Sequence, residues 1–78
     1  QLLDVRELAE WRQGFIEGAV RIPLAELGQR AVDLNSEQPI VCYCQKGGRS
    51  ARAATLLELK GFRVASLSGG YLEWIKVQ

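Results

Sequence analysis

Apolar positions in this chain arrive in short bursts whose spacing switches between the period of a strand and that of a helix. "LLDV" (Leu2 to Val5) is a short apolar run interrupted by one acid, the pattern of a buried strand. "RELAEWRQG" sets Leu8 and Trp11 at helical spacing, with Glu7 early and Gly14 as a stop, and predicts a short helix. Gly18 turns the chain, Ala19 to Ile22 reads as a brief strand, and Pro23 follows it. Leu27, Ala31 and Leu34 stand at i, i+4 and i+7 and predict a second helix, weakened by Gly28. "NSEQP" is turn chemistry. "IVCYC" predicts a strand apolar on both faces, as central parallel strands are. Ser50 to Lys60 predicts the best helix, with Ala53, Ala54, Leu56 and Leu57 on a broad apolar face and Gly61 to end it. "FRVASL" alternates as a strand, "SGG" turns, and "YLEWIKV" closes on a helix.

Strand and helix alternate from end to end, which predicts an α/β layered domain: a mainly parallel central sheet flanked by helices. Residues 1–78 form one domain. In such sheets ligands bind beyond the carboxyl ends of the strands, and Cys44 stands at that end of the best central strand.

Composition narrows the function classes. The net charge of +1 gives no basis for a general nucleic-acid or membrane surface, and the apolar runs are too short to span a bilayer. Lys46, Arg49, Arg52, Lys60 and Arg63 read as a solvated basic face, with a rim for an acidic partner as the alternative. Two cysteines and no histidine leave no ordinary tetrahedral zinc site. Cys42 and Cys44, with one residue between them, are expected to point to opposite faces of the strand and not to suit a disulfide. No metal or cofactor is expected. Thiol chemistry remains, and a reducing, cytoplasmic setting suits it. The chain opens on Gln1 and runs straight into "LLDV", so a lead-in, a removed signal peptide or another domain is expected before it. A signal peptide would make the location periplasmic.

The loop "CQKGGR" supplies a reason for the thiol. If Gly47 and Gly48 let the backbone curl, successive N–H groups converge into an anion-binding nest. The following helix aims its positive end into the same space, and Lys46 and Arg49 add two cations. These features favour thiolate over thiol, so Cys44 is the candidate nucleophile. Cys42, flanked by Val41 and Tyr43, reads as a small buried hydrophobe.

Three ordered blocks carry a resemblance: "LLDVRELAEWRQGFIEGAVRIPL", "CQKGGRS" and "LKGF…V…LSGGYLEW". Over nearly its whole length the chain resembles the rhodanese (thiosulfate sulfurtransferase) family of single-domain proteins. The resemblance implies a three-layer rhodanese-like fold. It also implies a sulfurtransferase in which Cys44 takes the outer sulfur of thiosulfate or a persulfide donor, becomes a persulfide, and passes the sulfur to cyanide or a thiol. The backbone N–H groups of Gln45, Lys46, Gly47, Gly48 and Arg49 would cradle the sulfur, with Lys46 and Arg49 binding the anionic donor and Arg6 reaching the mouth of the site. An Asp4–Arg6 arrangement that ties the strand end to neighbouring loops is the competing reading for that pair. Trp11 and Trp74 are expected in the core.

Two departures stand out. Phe15 occupies a position where relatives often carry His, and the chain has no histidine, so Cys44 must be activated by electrostatics alone; Glu17 stands where Pro is usual, a loop change with no chemical meaning. The strand and helix that usually precede the first block are missing, which leaves a sheet edge bare or covered by absent residues. Other readings are a non-catalytic module, a sulfur-relay module of a larger protein with a protein acceptor, and, more distantly, a phosphatase or arsenate reductase. The last would need a cysteine-to-arginine loop one residue longer than Cys44–Arg49.

Overall fold

The computed structural model describes residues 1–78. In chain order it contains β1 (Leu2–Asp4), α1 (Leu8–Gln13), β2 (Val20–Arg21), α2 (Leu24–Arg30), β3 (Ile40–Tyr43), α3 (Gly48–Leu59), β4 (Val64–Ser66) and α4 (Gly70–Lys76). The strands pair in parallel in the order β2-β1-β3-β4, so every expected element forms and the α/β layered architecture holds. The predicted second helix is α-helical only to Arg30 and tightens into a 3₁₀ turn over Ala31–Asp33. The best helix starts at Gly48 rather than Ser50, because the glycine-rich loop has already turned into it.

Alternation along the strands sorts their side chains onto two faces. Leu3, Val5, Ile40, Cys42 and Cys44 share one face and pack against Leu27, Ala31 and the Ala53, Ala54 and Leu57 stripe of α3. This is the hydrophobic core. The expectation that the two cysteines point to opposite faces is therefore wrong: positions two apart on a strand lie on the same side. Both cysteines are free. The other face carries Leu2, Val41 and Ala65 near the strand starts and Asp4 and Tyr43 near their ends. Tyr43 is fully buried there, whereas Val41 is 39% exposed. The expectation that β3 is apolar and covered on both faces therefore holds only for its carboxyl half. The cause is the length of α1 and α4, six and seven residues, and their position over the strand ends.

The same geometry corrects the tryptophans. Trp11 and Trp74 are half-buried and lie outside the core. Trp11 stacks flat on Phe15, with ring centroids 3.8 Å apart, and Trp74 lies 6.1 Å from the Tyr71 ring. Short helices at a sheet end leave their aromatics at the rim.

Where the uncovered face meets the carboxyl end of the sheet, the fold buries an ion pair. Asp4 and Arg6 are 0% and 1% exposed. Arg6 Nε donates to Asp4 Oδ1 at 2.9 Å and Nη2 to Oδ2 at 2.7 Å. Its other donors reach the Gly14 carbonyl and Gln45 Oε1, and its guanidinium lies 4.4 Å from the centre of the Tyr71 ring. A pair of this kind is costly to break, because either partner alone is a buried charge. Arg6→Met is expected to lower the unfolding free energy by about 3–5 kcal/mol, read from urea denaturation with the slope fitted. A loss below about 1 kcal/mol would mean that the pair is solvent-screened.

Candidate active site

Cys44 is the first residue past β3, and its sulfur lies at the floor of a cleft of about 400 Å³ lined by Glu10, Cys44, Gln45, Lys46, Gly48 and Arg49. The chain reaches this arrangement through one glycine that no other residue replaces cheaply. Gly47 caps α3 with φ +123°, a conformation that side chains resist, and the turn aims its N–H at Cys44 Sγ, 3.0 Å away. The first turn of α3 begins at once, and among its free N–H groups that of Ser50 also acts on the sulfur.

A second glycine fixes the other side of the loop. Tyr71 N–H donates to the Cys44 carbonyl at 2.8 Å and Leu72 N–H to the Gln45 carbonyl at 3.1 Å. The start of α4 can come this close only because residue 70 is glycine. A Cβ there would lie 2.5 Å from the Cys44 carbonyl oxygen and 2.7 Å from that of Gln45. The two carbonyls are thus held on α4, and the N–H groups on the opposite ends of the same peptide planes, those of Gln45 and Lys46, turn away from it.

Burial alone pushes the Cys44 thiol up, but the Ser50 hydroxyl and the N–H groups of Ser50, Gly47 and Lys46 outweigh it, and the thiol sits below its ordinary value. For Cys42 burial outweighs the hydrogen bond from its own N–H and pushes the thiol up to about 11. The two cysteines therefore differ: the Cys44 thiol is held below its ordinary value and the Cys42 thiol above it, although both pack in the core cluster.

Ser50 and Ser66 join the site without having been singled out in the sequence. Ser50 is fully buried, with Oγ 3.5 Å from Cys44 Sγ and 2.6 Å from Ser66 Oγ. The Ser50 hydroxyl also lies 3.2 Å from the Gly47 carbonyl, to which it donates, so the sulfur and that carbonyl share one hydroxyl. Ser50 was adjacent to the recognised loop; Ser66, on β4 across from Cys42, carries no local signal at all.

Glu10 was also missed. From α1 it accepts from both Arg49 nitrogens, at 2.6 and 2.7 Å, and from the Glu7 N–H at 3.1 Å. The Arg49 hydrogen bond brings its carboxyl down to about 2, and Glu10 in turn raises Arg49. The two loop cations thus differ: Arg49 is paired, and Lys46 is exposed with no ion-pair partner. Gln45, Lys46, Gly48 and Arg49 line the cleft as expected, and Gly47 contributes its N–H. Arg6, expected at the mouth, lies behind the wall instead and holds Gln45 Oε1 at 2.9 Å. Its burial, enforced by Asp4, keeps it from the cleft.

The family model for the rhodanese-like domain matches residues 1–77. The chain belongs to the rhodanese family. It is 43% identical over 75 residues to YqhL of Bacillus subtilis, covering 95% of this chain and 60% of that protein. A sulfurtransferase of Allochromatium vinosum is 34% identical over 76 residues, covering 96% of this chain and 71% of that one. Among solved structures, the human single-domain sulfurtransferase TSTD1 superposes with a TM-score of 0.90 at 29% identity, over 100% of this chain and 82% of that one. Bacillus anthracis CoADR-RHD gives 0.87 at 41% identity, over 90% of this chain but 13% of that protein. The rhodanese chain spans 60% and 40% of the lengths of two of its curated relatives, YqhL and the putative sulfur carrier protein YrkF of Bacillus subtilis. No helix is long and apolar enough to cross a membrane.

The donor set makes a direct prediction. Between pH 7 and 9, iodoacetamide should modify one cysteine, Cys44, as read by intact and peptide mass spectrometry. The rate should level off below the ordinary thiol range, since the thiolate is already formed there. Ser50→Ala should move that inflection to higher pH, because the thiolate loses one hydrogen bond. Equal modification of Cys42 would contradict the assignment.

Proposed function

We propose that this rhodanese domain is a sulfurtransferase that carries sulfane sulfur as a persulfide on Cys44. The observation that carries the reading is the sulfur at the cleft floor with the Gly47 N–H 3.0 Å away and its thiol below the ordinary value. The thiolate attacks the outer sulfur of a donor. With thiosulfate the S–S bond breaks, sulfite leaves with the bond's electron pair, and Cys44 keeps the transferred sulfur as a persulfide anion. The loop N–H groups that favour the thiolate are placed for that anion as well. Attack by cyanide on the outer sulfur then releases thiocyanate and restores the thiolate. A thiol acceptor does the same, leaving as a persulfide. Neither half-reaction needs a general base, which fits a chain without histidine, and the two halves imply ping-pong kinetics.

In this scheme Gln45, Gly47 and Gly48 supply backbone and wall, Lys46 and Arg49 favour an anionic donor, and Arg6 is a positioning residue acting through Gln45. No metal or cofactor takes part. A sulfur-relay role within a longer protein uses the same persulfide and fits the relatives of which this chain spans only a part. The cysteine and loop glycines support catalysis over a purely non-catalytic module. Phosphatase or arsenate reductase chemistry is disfavoured by the six-residue Cys44–Arg49 loop.

The test is turnover from thiosulfate to cyanide by wild type, Cys42→Ser and Cys44→Ser, with intact mass after thiosulfate alone. Wild type and Cys42→Ser should turn over and gain one sulfur, about 32 Da, held on a cysteine nucleophile. Cys44→Ser should do neither. Folded, reduced wild type that gains no sulfur from thiosulfate or from a persulfide would overturn the reading.

A further inference from the structure

Glu10 offsets part of the attraction that Lys46 and Arg49 exert on an anionic donor. These three are the charged side chains of the cleft wall. The Glu10 carboxylate grips Arg49 with both oxygens, and the Glu7 N–H holds the same carboxylate on α1. The pair reaches from α1 to α3 and fixes a negative group on the wall opposite the loop. It leaves Lys46 as the uncompensated cation, and Lys46 is exposed to solvent. Once Cys44 is a thiolate, the positive and negative charges of the lining cancel. A free dianion such as thiosulfate must then bring two charges into a wall with no net attraction, within a few ångströms of a fixed carboxylate. Solvent weakens that repulsion but does not remove it in a cleft. A persulfide on an uncharged carrier, whether a small thiol or a polypeptide cysteine, brings no charge as R–S–SH and one as its anion, and so meets a smaller penalty. Its hydrogen bonds to the loop N–H groups remain.

We infer that Glu10 is a specificity-determining residue that biases this site away from small dianionic donors and towards persulfides borne on low-charge thiols. The inference rests on the sulfurtransferase reading and names the donor class for the same site. The transfer it favours is balanced: the Cys44 thiolate attacks the outer sulfur of R–S–SH, the S–S bond breaks, R–S⁻ leaves with the electron pair, and the proton is shared between the products. No oxidant or reductant enters.

The experiment compares thiosulfate with 2-hydroxyethyl persulfide, an uncharged-carrier donor, using cyanide as the common acceptor at low ionic strength. Wild type, Glu10→Gln, Glu10→Ala and Glu10→Asp are each assayed. Removing the carboxylate should raise the thiosulfate-to-persulfide ratio of kcat/KM by about tenfold, chiefly through a lower KM for thiosulfate, since one nearby charge is worth about that in partly solvated surroundings. Glu10→Ala should move the ratio in the same direction. Glu10→Asp, which keeps the charge, should stay near the wild-type ratio. A ratio that is unchanged or falls in both Glu10→Gln and Glu10→Ala would overturn the role of Glu10 while leaving sulfur transfer intact. If neither donor loads wild-type Cys44, both readings fail together.

Discussion

A backbone can present a row of N–H groups to one sulfur only if the carbonyls of the same peptides are satisfied elsewhere. In this rhodanese the carbonyls of Cys44 and Gln45 are satisfied by Tyr71 and Leu72 at the start of α4. Everything at the site depends on that tie. It sets the peptide planes after β3, and Gly47 then makes the turn that brings its N–H to 3.0 Å from the sulfur. The tie in turn needs Gly70, whose missing side chain lets helix and loop approach. Two glycines with positive φ, one in the loop and one in the clamp, therefore set the backbone donors that act on the thiol alongside Ser50, which contributes most. Full charges matter less: Arg49 is shared with Glu10, and Lys46 faces solvent.

Behind the loop, the buried Arg6 plays a comparable part for the side chains. It joins Asp4 at the end of β1, the Gly14 carbonyl after α1 and Gln45 in the loop. One guanidinium thus locks three segments that the small sheet could not hold by apolar packing alone. A domain of 78 residues has a thin core, and this polar cluster stands on the face that α2 and α3 leave uncovered. The cost of burying the charge is offset by pairing and by the aromatic face of Tyr71.

The fold was legible because its signals are local. Periodicity separated strand from helix at every element, and Gly14, Gly47, Gly61 and the Gly69–Gly70 pair marked the breaks. Cys44 was legible for the same reason, since the loop that activates it follows it directly in sequence. What escaped were relations between distant residues. Glu10 and Arg49 are 39 positions apart, and nothing in either neighbourhood announces the other. Ser66 enters through strand register. Arg6 was put at the mouth by the resemblance, and the competing reading, a tie between Asp4 and Arg6 at the strand end, is the one that forms. The tryptophans were assigned to the core by residue type, and short helices at the sheet end keep them at the rim.

The most direct test of the central claim is a pH titration of Cys44, followed by the ¹³Cβ shift of labelled protein, in wild type and Gly70→Ala. The backbone clamp predicts a wild-type Cys44 pKa below that of an ordinary cysteine. In Gly70→Ala the loop must retreat from α4, and the pKa should rise while Cys42 stays near 11. A folded Gly70→Ala protein whose Cys44 titrates as in wild type would contradict the account, because the loop N–H groups would then be aimed at the sulfur without α4.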